Sequence, residues 1–258
     1  GRDNSTKGYW NEDWPARSSY FGIVDLCGFP KDRYYLYQSQ WTDKPMVHLL
    51  PHWSWEGKEG ETVPVYGYTN CEEAELFLNG KSLGRRVKGI DKTELIVKFI
   101  QYEGESFESP YRLSWNVPYE KGELKIVAYK SGKAICEKSI DTAGSAERIA
   151  LEADRSVIAN DAADLSFISV AIEDSVGNLC PAANNDVQFE IEGPGEIAAV
   201  GNGQPFSTES FQANHRRAFN GRCMLIIRSK RGLEGEIKVT AQSEGLQSSS
   251  IIVTSSPS

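Results

Sequence analysis

The stretch "AELFLNGKSLGRR", residues 74–86, places an Asn-Gly pair between two runs of alternating apolar and polar residues. Of all the features in the sequence, this one most restricts the fold. An Asn-Gly pair favours a two-residue turn that needs a positive φ at both positions and joins antiparallel strands. Ala74, Leu76 and Leu78 fall on one side of the first run. The stretch therefore predicts a β-hairpin with one buried face.

The same pattern recurs along most of the chain. "ELKIVAYKSGKAICEKSI", residues 123–140, predicts a second hairpin with Ser131-Gly132 at its turn. Beyond residue 147, turn residues separate six apolar runs: "RIALEAD", "DLSFISVAIED", "DVQFEIEG", "CMLIIRSK", "EIKVTAQS" and "SSIIVTSS". Short strands at this spacing are typical of antiparallel sandwiches.

The small, polar segment "DTAGSAER", residues 141–148, indicates a boundary between two domains. We therefore expect a mainly β chain with two immunoglobulin-like β-sandwiches, residues 44–144 and 145–258, preceded by a loop and a helix in residues 1–43. The longest loop, residues 201–222, exceeds the usual length of a structureless connection, so it is either functional or docked on a neighbouring segment.

One segment departs from the β pattern. "KDRYYLYQSQW", residues 31–41, follows Pro30 and contains no Gly or Pro, which predicts a helix. Tyr34, Tyr37 and Trp41 would lie on a single stripe of that helix. The chain therefore carries one aromatic helix ahead of its strands.

The composition argues against several classes of partner. The 258 residues carry a net charge of −8 and no basic cluster, which argues against nucleic acid and anionic lipid. No apolar run approaches the roughly 20 residues of a membrane span. The five cysteines are widely separated and are interpreted as small buried side chains. The three histidines lack the spacing of a zinc site and no phosphate loop opens a helix, so we expect no metal and no cofactor.

Three groups of residues have both a functional and a structural interpretation. Trp53 and Trp55 in "HWSW" could stack on a sugar, or could cement one domain to another. His48 and His52 are predicted on one face of the first sandwich strand, where a metal would need a third ligand. "DSVGN", residues 174–178, has the oxygen content of a calcium loop, but a turn is the better interpretation.

The carboxylates of the chain are interpreted as solvated surface charge. They lie in predicted hairpins or on the solvent faces of strands, and none stands beside a partner that indicates catalysis. Among them are Glu72, Glu73, Glu103, Glu105, Glu190 and Glu192.

The stretch "WPARSSYFGIVDLCGFPKDRYYLYQSQWTDKPMVHLLPHWSW", residues 14–55, resembles the end of the catalytic barrel, and the start of the next domain, in bacterial β-galactosidases of glycoside hydrolase family 2. The motifs "AELFLNGKSLG", "YRLSWNVPYEKGELKIVAY", "GPGEIAAVGNGQP" and "RRAFNGRCMLIIRS" resemble those of the family's later β-domains and occur in the same order. The resemblance runs from about residue 14 to about residue 254.

This resemblance implies that residues 1–43 are the remnant of a (β/α)8 barrel and that the aromatic helix is the last helix of that barrel. The family retains configuration, which requires two carboxyl groups about 5–5.5 Å apart. In the family both belong to barrel strands upstream of this region, so no catalytic residue is assigned here.

The expected function is that of an accessory region of a β-galactosidase-like enzyme, inert by itself, with Trp53 and Trp55 lining the substrate site. The expected partners are carbohydrate, through the parent enzyme, and the barrel domain in cis. A free-standing carbohydrate-binding module is the alternative. The family implies a periplasmic or secreted location, which the five cysteines oppose.

Overall fold

The computed structural model describes residues 21–94, 106–107 and 109–257, and these residues form two compact units. One unit is Pro30–Thr142, and the other joins the described residues up to Phe29 to those from Ala143 onward. Glu103, Glu105 and most of the predicted loop before the helix lie outside the described residues. The domain limits predicted from sequence (1–43, 44–144 and 145–258) stay predictions, although the contacts divide the first of these segments after Phe29.

The expected mainly β fold with a single short helix is confirmed within the described residues. In the first unit, β1, β2 and β7 form a three-stranded sheet, and the four-stranded sheet has the order β4-β3-β8-β9. A short ribbon pairs β5 with β6. The elements are α1 (Asp32–Trp41), β1 (Val47–Leu50), β2 (Thr62–Thr69), β3 (Glu73–Leu78), β4 (Lys81–Val87), β5 (Thr93–Glu94), β6 (Ser106–Phe107), β7 (Leu113–Pro118), β8 (Glu123–Lys130) and β9 (Lys133–Asp141).

Both predicted hairpins of the first unit are confirmed, and their turns show why the sequence specifies them. Asn79 and Gly80 have φ values of 51° and 76°, and Ser131 and Gly132 have values of 50° and 75°. Both pairs therefore adopt the positive φ that a two-residue hairpin turn requires. The alternation is also confirmed: the buried face of β3 and β8 consists of Ala74, Leu76, Leu78, Leu124, Ile126 and Ala128.

Helix α1 packs on the first unit through only part of its surface. The Tyr35 ring stacks on His48 with 3.8 Å between ring centroids, and Ser39 is buried. After the helix, the side chain of Asn70 donates to the carbonyls of Thr42 and Lys44, which fixes the path of the chain toward β1. No helix among the described residues is long and apolar enough to span a membrane.

The second unit is a sandwich of two sheets with the orders β10-β12-β16-β14 and β11-β18-β17-β13-β15. Its core contains large apolar side chains from both sheets, including Ile168, Phe189, Leu225 and Val239. The strands are β10 (Arg148–Ala153), β11 (Val157–Ala159), β12 (Leu165–Glu173), β13 (Asp186–Glu192), β14 (Gly195–Gly201), β15 (His215–Arg217), β16 (Arg222–Ser229), β17 (Gly235–Gln242) and β18 (Ser249–Ser256).

The segment 21–29 lies against the start of the long loop of the second unit. Asp25 accepts hydrogen bonds from the backbone N–H groups of Cys27 and Phe29, which closes the segment into a compact turn. A Cβ at Gly203 would collide with the carboxylate of Asp25, and one at Gly201 would lie 3.0 Å from the Cys27 sulfur. The glycines of "GNG" therefore permit a close approach of two segments.

Candidate functional site

The segment that carries both predicted substrate-binding tryptophans has no regular structure. Strand β1 ends at Leu50, so residues 51–55 follow it as an irregular connection. The interpretation that His48 and His52 share one face of a strand is therefore wrong, because His52 lies beyond the strand. His48 instead hydrogen-bonds Asp32 across 3.0 Å and stacks on Tyr35, which fastens the helix to β1.

Trp53 lies in the core of the first unit. Its side chain has 0% exposed surface, and its indole N–H donates to the Glu120 carbonyl at 2.9 Å. The ring meets Tyr119 edge-on with 5.1 Å between centroids, and the Trp53 carbonyl accepts a 2.7 Å hydrogen bond from the Thr142 hydroxyl. A ring without exposed surface has no face to offer a sugar, so the substrate-contact hypothesis now depends on Trp55.

Trp55 is partly buried, and its indole ring packs against the exposed side chain of His52. Its indole stacks on the His52 imidazole with 4.2 Å between centroids, and its backbone N–H donates to the Tyr119 hydroxyl. Burial lowers the pKa of His52, and the negative charge of Asp32 opposes that shift only in part. The Trp55 indole N–H is itself buried and makes no hydrogen bond within the described residues. A buried donor without an acceptor costs about 1–3 kcal/mol, which favours an acceptor from outside those residues.

The second unit contains a cavity that sequence reasoning did not identify. The cavity has a volume of about 580 Å³ and lies between the segment before β13 and the long loop. Polar and aromatic side chains line it together, among them Asn184, Gln204, Glu209, Arg217 and Phe219. Its only sequence signal is the length of the loop, which predicts a functional or docked segment. In the structure the loop does both: it packs against the segment 21–29 and it borders the cavity.

A buried arginine holds the loop beside this cavity. The Arg216 side chain is 1% exposed, and it donates to the Asn202 amide oxygen at 3.1 Å and to the Glu209 carbonyl at 3.2 Å. The Asn202 amide in turn donates to the Arg217 carbonyl at 2.7 Å. The Arg216 Nε lies 3.8 Å from the Glu209 carboxylate, outside hydrogen-bond distance. The guanidinium is therefore a polar anchor inside the loop.

Three side chains of the second unit each offer an atom that could bind a metal ion, and these atoms lie within 4.8 Å of one another. The residues are Asp186, Glu209 and His215, which are too far apart in the sequence to be recognised as a group. Their own neighbours already occupy these groups. Asp186 accepts hydrogen bonds from Gln188 and pairs with His215 at 3.0 Å, whereas Glu209 accepts from Ser207. The positive charge of Arg216 stands beside Glu209 and disfavours a cation there. Hydrogen bonds and ion pairs among neighbouring side chains therefore account for this grouping.

The "DSVGN" segment is a turn between β12 and the chain that leads to β13. The Asp174 carboxylate accepts hydrogen bonds from the backbone N–H groups of Gly144, Val176 and Asn178 and from the Asn178 side chain. Burial raises the pKa of Asp174, but these hydrogen bonds outweigh it and lower the pKa to about 2. The carboxylate thus fastens residue 144, at the start of the second unit, to this turn.

This geometry predicts a pH-dependent contribution to stability. Because the pKa of Asp174 is lower in the folded state than in the unfolded chain, its stabilisation is present above about pH 4 and is lost as the pH falls toward 2. We expect Asp174→Asn to lower the free energy of unfolding of the second unit by about 2 kcal/mol at neutral pH, and to flatten its dependence on pH in that acidic range.

Hydrogen exchange of peptides from β12 and β16, followed between pH 7 and pH 3 with correction for intrinsic exchange rates, would measure this effect. Asp161→Asn is the matched control, because the Asp161 carboxylate also accepts backbone hydrogen bonds but lies on the exposed surface. An equal loss in the two variants would contradict the role given to Asp174.

Both β regions match known protein families. Residues 149–252 match the glycoside hydrolase family 2 C-terminal domain 5, and residues 60–136 match a domain of unknown function, DUF4982. The β-galactosidase BoGH2A of Bacteroides ovatus is 46% identical over 235 residues, 91% of this chain and 25% of that protein. A putative β-glucuronidase of Formosa agariphila is 35% identical over 210 residues, 81% of this chain and 19% of that protein.

Solved structures give the same result. A β-glycosidase from Bacteroides vulgatus superposes with a TM-score of 0.82 at 36% identity, over 93% of this chain and 29% of that protein. The chain spans about a quarter of the length of the curated relatives named above. The similarity therefore identifies the region of these relatives to which the chain corresponds, and the activities in their names belong to the longer proteins.

Proposed function

This chain corresponds to the C-terminal region of glycoside hydrolase family 2 enzymes, and we propose that it is the accessory, non-catalytic part of an enzyme that hydrolyses terminal β-galactosides with retention of configuration. In this proposal the two β-domains support a catalytic barrel in cis. The chain itself supplies neither the nucleophile nor the proton donor.

The observation that carries the proposal is the exposed aromatic face of α1. Trp41 is 78% exposed and Tyr37 is 38% exposed, and their rings stack with 5.1 Å between centroids. The opposite side of the helix packs on the sandwich through Tyr35 and Ser39. A pair of large exposed rings on one helix face marks a contact surface. We assign this surface to the barrel domain, because the relatives contain about three quarters of their length outside the matched region.

The three described carboxylates with a shifted pKa support the non-catalytic assignment. The pKa of Asp174 is lowered to about 2, as described above, and the pKa of Glu59 and of Asp161 is also lowered, chiefly by hydrogen bonds that backbone N–H groups donate to these carboxylates. A general acid for glycoside cleavage needs the opposite shift, toward a raised pKa. Glu72, Glu190 and Glu192 lie on the exposed surface, as expected from the sequence.

The relatives support a β-galactoside as the substrate of the whole enzyme. The β-galactosidase from Bacteroides ovatus shares 46% identity with this chain, compared with 35% for the putative β-glucuronidase. A β-glucuronide is the second candidate, and a direct comparison of the two substrates distinguishes them.

We also propose that Trp55 contributes to the substrate site of the whole enzyme, where its ring would stack on the sugar that leaves. Its position next to the exposed His52 and its indole N–H without a partner support a contact from outside the described residues. Trp53 would act indirectly, by fixing the connection that carries Trp55.

We expect the purified chain to hydrolyse neither a chromogenic β-galactoside nor a chromogenic β-glucuronide, because retaining cleavage requires paired carboxylates, and the family resemblance assigns these to barrel strands upstream of this region. The longer protein that contains this chain should cleave the galactoside with the higher kcat/KM. Turnover by the chain alone that disappears when one of its glutamates becomes glutamine would contradict the proposal.

The barrel contact can be examined in the same longer protein. Trp41→Ser should lower its thermal stability, since the ring would lose a buried contact, and the isolated chain should be unaffected. Val176→Ser is the matched control, because Val176 is 79% exposed in the second unit. Equal behaviour of the two variants in the longer protein would remove Trp41 from the interface.

A further inference from the structure

The cavity of the second unit presents hydrogen-bonding groups that have no partner within the described chain. The side chains of Asn184, Thr208 and Asn220 make no hydrogen bond to described residues, and the Gln204 amide nitrogen is likewise unpaired there. Amides and hydroxyls together offer both donors and acceptors. A ligand that fits them must therefore also carry both functions at several points.

The floor of the cavity is fixed rather than adaptable. Asn202 lines it with only 2% exposed surface, and its amide oxygen accepts hydrogen bonds from the Gln204 backbone N–H and from Arg216. Because Arg216 is itself buried, this network holds the polar wall in place before any ligand arrives. Such preorganisation lowers the entropic cost of binding.

Size and charge restrict the class of ligand. A volume of about 580 Å³ lies within the usual range for small-molecule sites. Glu209 and Arg217 are the charged side chains among the described residues that line the cavity, so the lining has no net charge. A phosphate or nucleotide site would need an excess of positive charge. Phe206 and Phe219 add aromatic surface on which an apolar ligand face can lie.

We propose that this cavity binds a neutral sugar unit. A sugar carries several hydroxyls that both donate and accept, and it also has an apolar face, which matches amides and a hydroxyl beside two phenylalanines. The absence of a net charge on the lining favours a hexose over a uronic acid. This inference is independent of the function proposed above, since a binding site here needs no catalytic barrel.

The test is a titration of the ¹⁵N-labelled chain with lactose, and separately with sodium glucuronate, followed by amide NMR. We expect saturable shifts from lactose at residues 202–209 and 217–220, with a Kd in the millimolar range, and weaker binding of glucuronate. Thr208→Ala and Asn184→Ala should each raise the Kd roughly 2- to 12-fold, which corresponds to one neutral hydrogen bond. Neither side chain makes a hydrogen bond to the described residues, so both variants should fold normally.

Asn214→Ala is the matched control, because Asn214 is an exposed asparagine of the same loop whose side chain makes no hydrogen bond to the described residues and does not line the cavity. It should leave the Kd unchanged. The proposal is overturned if lactose produces no saturable shift, if the shifts fall only outside the cavity, or if glucuronate binds more tightly than lactose. Failure of the glycosidase assay would not affect this result, and the reverse also holds.

Discussion

Replacement of Trp53 by alanine is expected to destabilise the first unit by about 3–5 kcal/mol, the range for removing a large aromatic side chain from a core. The ring is fully buried, meets Tyr119 edge-on, and donates a hydrogen bond to the Glu120 carbonyl. Alanine would leave a cavity and an unpaired carbonyl at once. The connection between β1 and β2 should loosen, because Trp53 is its main core contact.

Urea unfolding followed by tryptophan fluorescence would measure this loss, because four of the six tryptophans (Trp41, Trp53, Trp55 and Trp115) lie in the first unit and the signal reports mainly on that unit. Trp115, which is 2% exposed, remains as the buried reporter. Trp55→Ala is the matched control and should cost less, since its ring is only partly buried and its indole N–H has no partner in the described residues. A larger loss from Trp55→Ala would reverse the roles given to the two rings.

The same two variants separate structure from function in the longer protein. If Trp55 contacts the substrate, Trp55→Ala should weaken kinetics on disaccharides while the protein stays folded. Trp53→Ala should act through stability, with kinetics per folded molecule changed little. Unchanged kinetics in Trp55→Ala would remove the substrate-contact proposal for this segment.

The parts of the fold that local chemistry determines could be predicted from sequence. The turns at Asn79-Gly80 and Ser131-Gly132 need a positive φ that few residues tolerate, so the residue types alone indicate two hairpins. The extent of α1 likewise follows from Pro30 at its start and from the absence of helix breakers up to Trp41. In each case the deciding interactions lie within a few residues of one another.

The parts that depend on distant contacts could not be predicted in the same way. Residue patterns contain no strand signal for β11, β14 or β15, since these strands are short or bounded by glycine and form only against partners elsewhere in the chain. The burial of Trp53, two residues from the partly buried Trp55, has the same origin. An irregular connection replaces the strand alternation that would have placed both rings on one face.

The cavity of the second unit is the clearest example of a feature that depends on distant contacts and could not be predicted from sequence. Its lining comes from the segment before β13, from the long loop and from the chain around β15, which meet only in the folded sandwich. No local pattern relates Asn184 to Thr208 or Asn220. The anchor of this arrangement, Arg216, appeared in the sequence as one of two adjacent arginines, with nothing to indicate that it alone is buried.

Arg216→Met is therefore expected to destabilise the long loop by about 3 kcal/mol, at the lower end of the range for breaking a buried charge pair. Methionine keeps much of the volume but removes every donor. The Glu209 carbonyl loses its hydrogen bond, and the Asn202 amide oxygen keeps only the one from the Gln204 backbone N–H. The Glu209 carboxylate loses the positive charge that lies 3.8 Å away. The lower end applies because the Glu209 side chain is 29% exposed and keeps part of its hydration.

Hydrogen exchange of peptides from residues 201–214 would show this loss as roughly a 100-fold decrease in protection, since each 1.4 kcal/mol is a factor of ten. Arg217→Met is the matched control, because this neighbouring arginine is exposed and, among the described residues, its guanidinium hydrogen-bonds only the Asn184 carbonyl, at 3.4 Å. It should leave exchange in the loop nearly unchanged. Equal effects of the two substitutions would mean that Arg216 is not the anchor.

A second substitution separates the charge of Arg216 from its hydrogen bonds. If the stranded carboxylate accounts for much of the loss, Arg216→Met combined with Glu209→Gln should recover part of the stability, because the neutral amide no longer needs a cation beside it. The bonds to Asn202 and to the Glu209 carbonyl stay broken in the double variant, so recovery should be incomplete. Full recovery would show that charge pairing alone holds the loop, whereas no recovery would assign the anchor to the hydrogen bonds of the guanidinium.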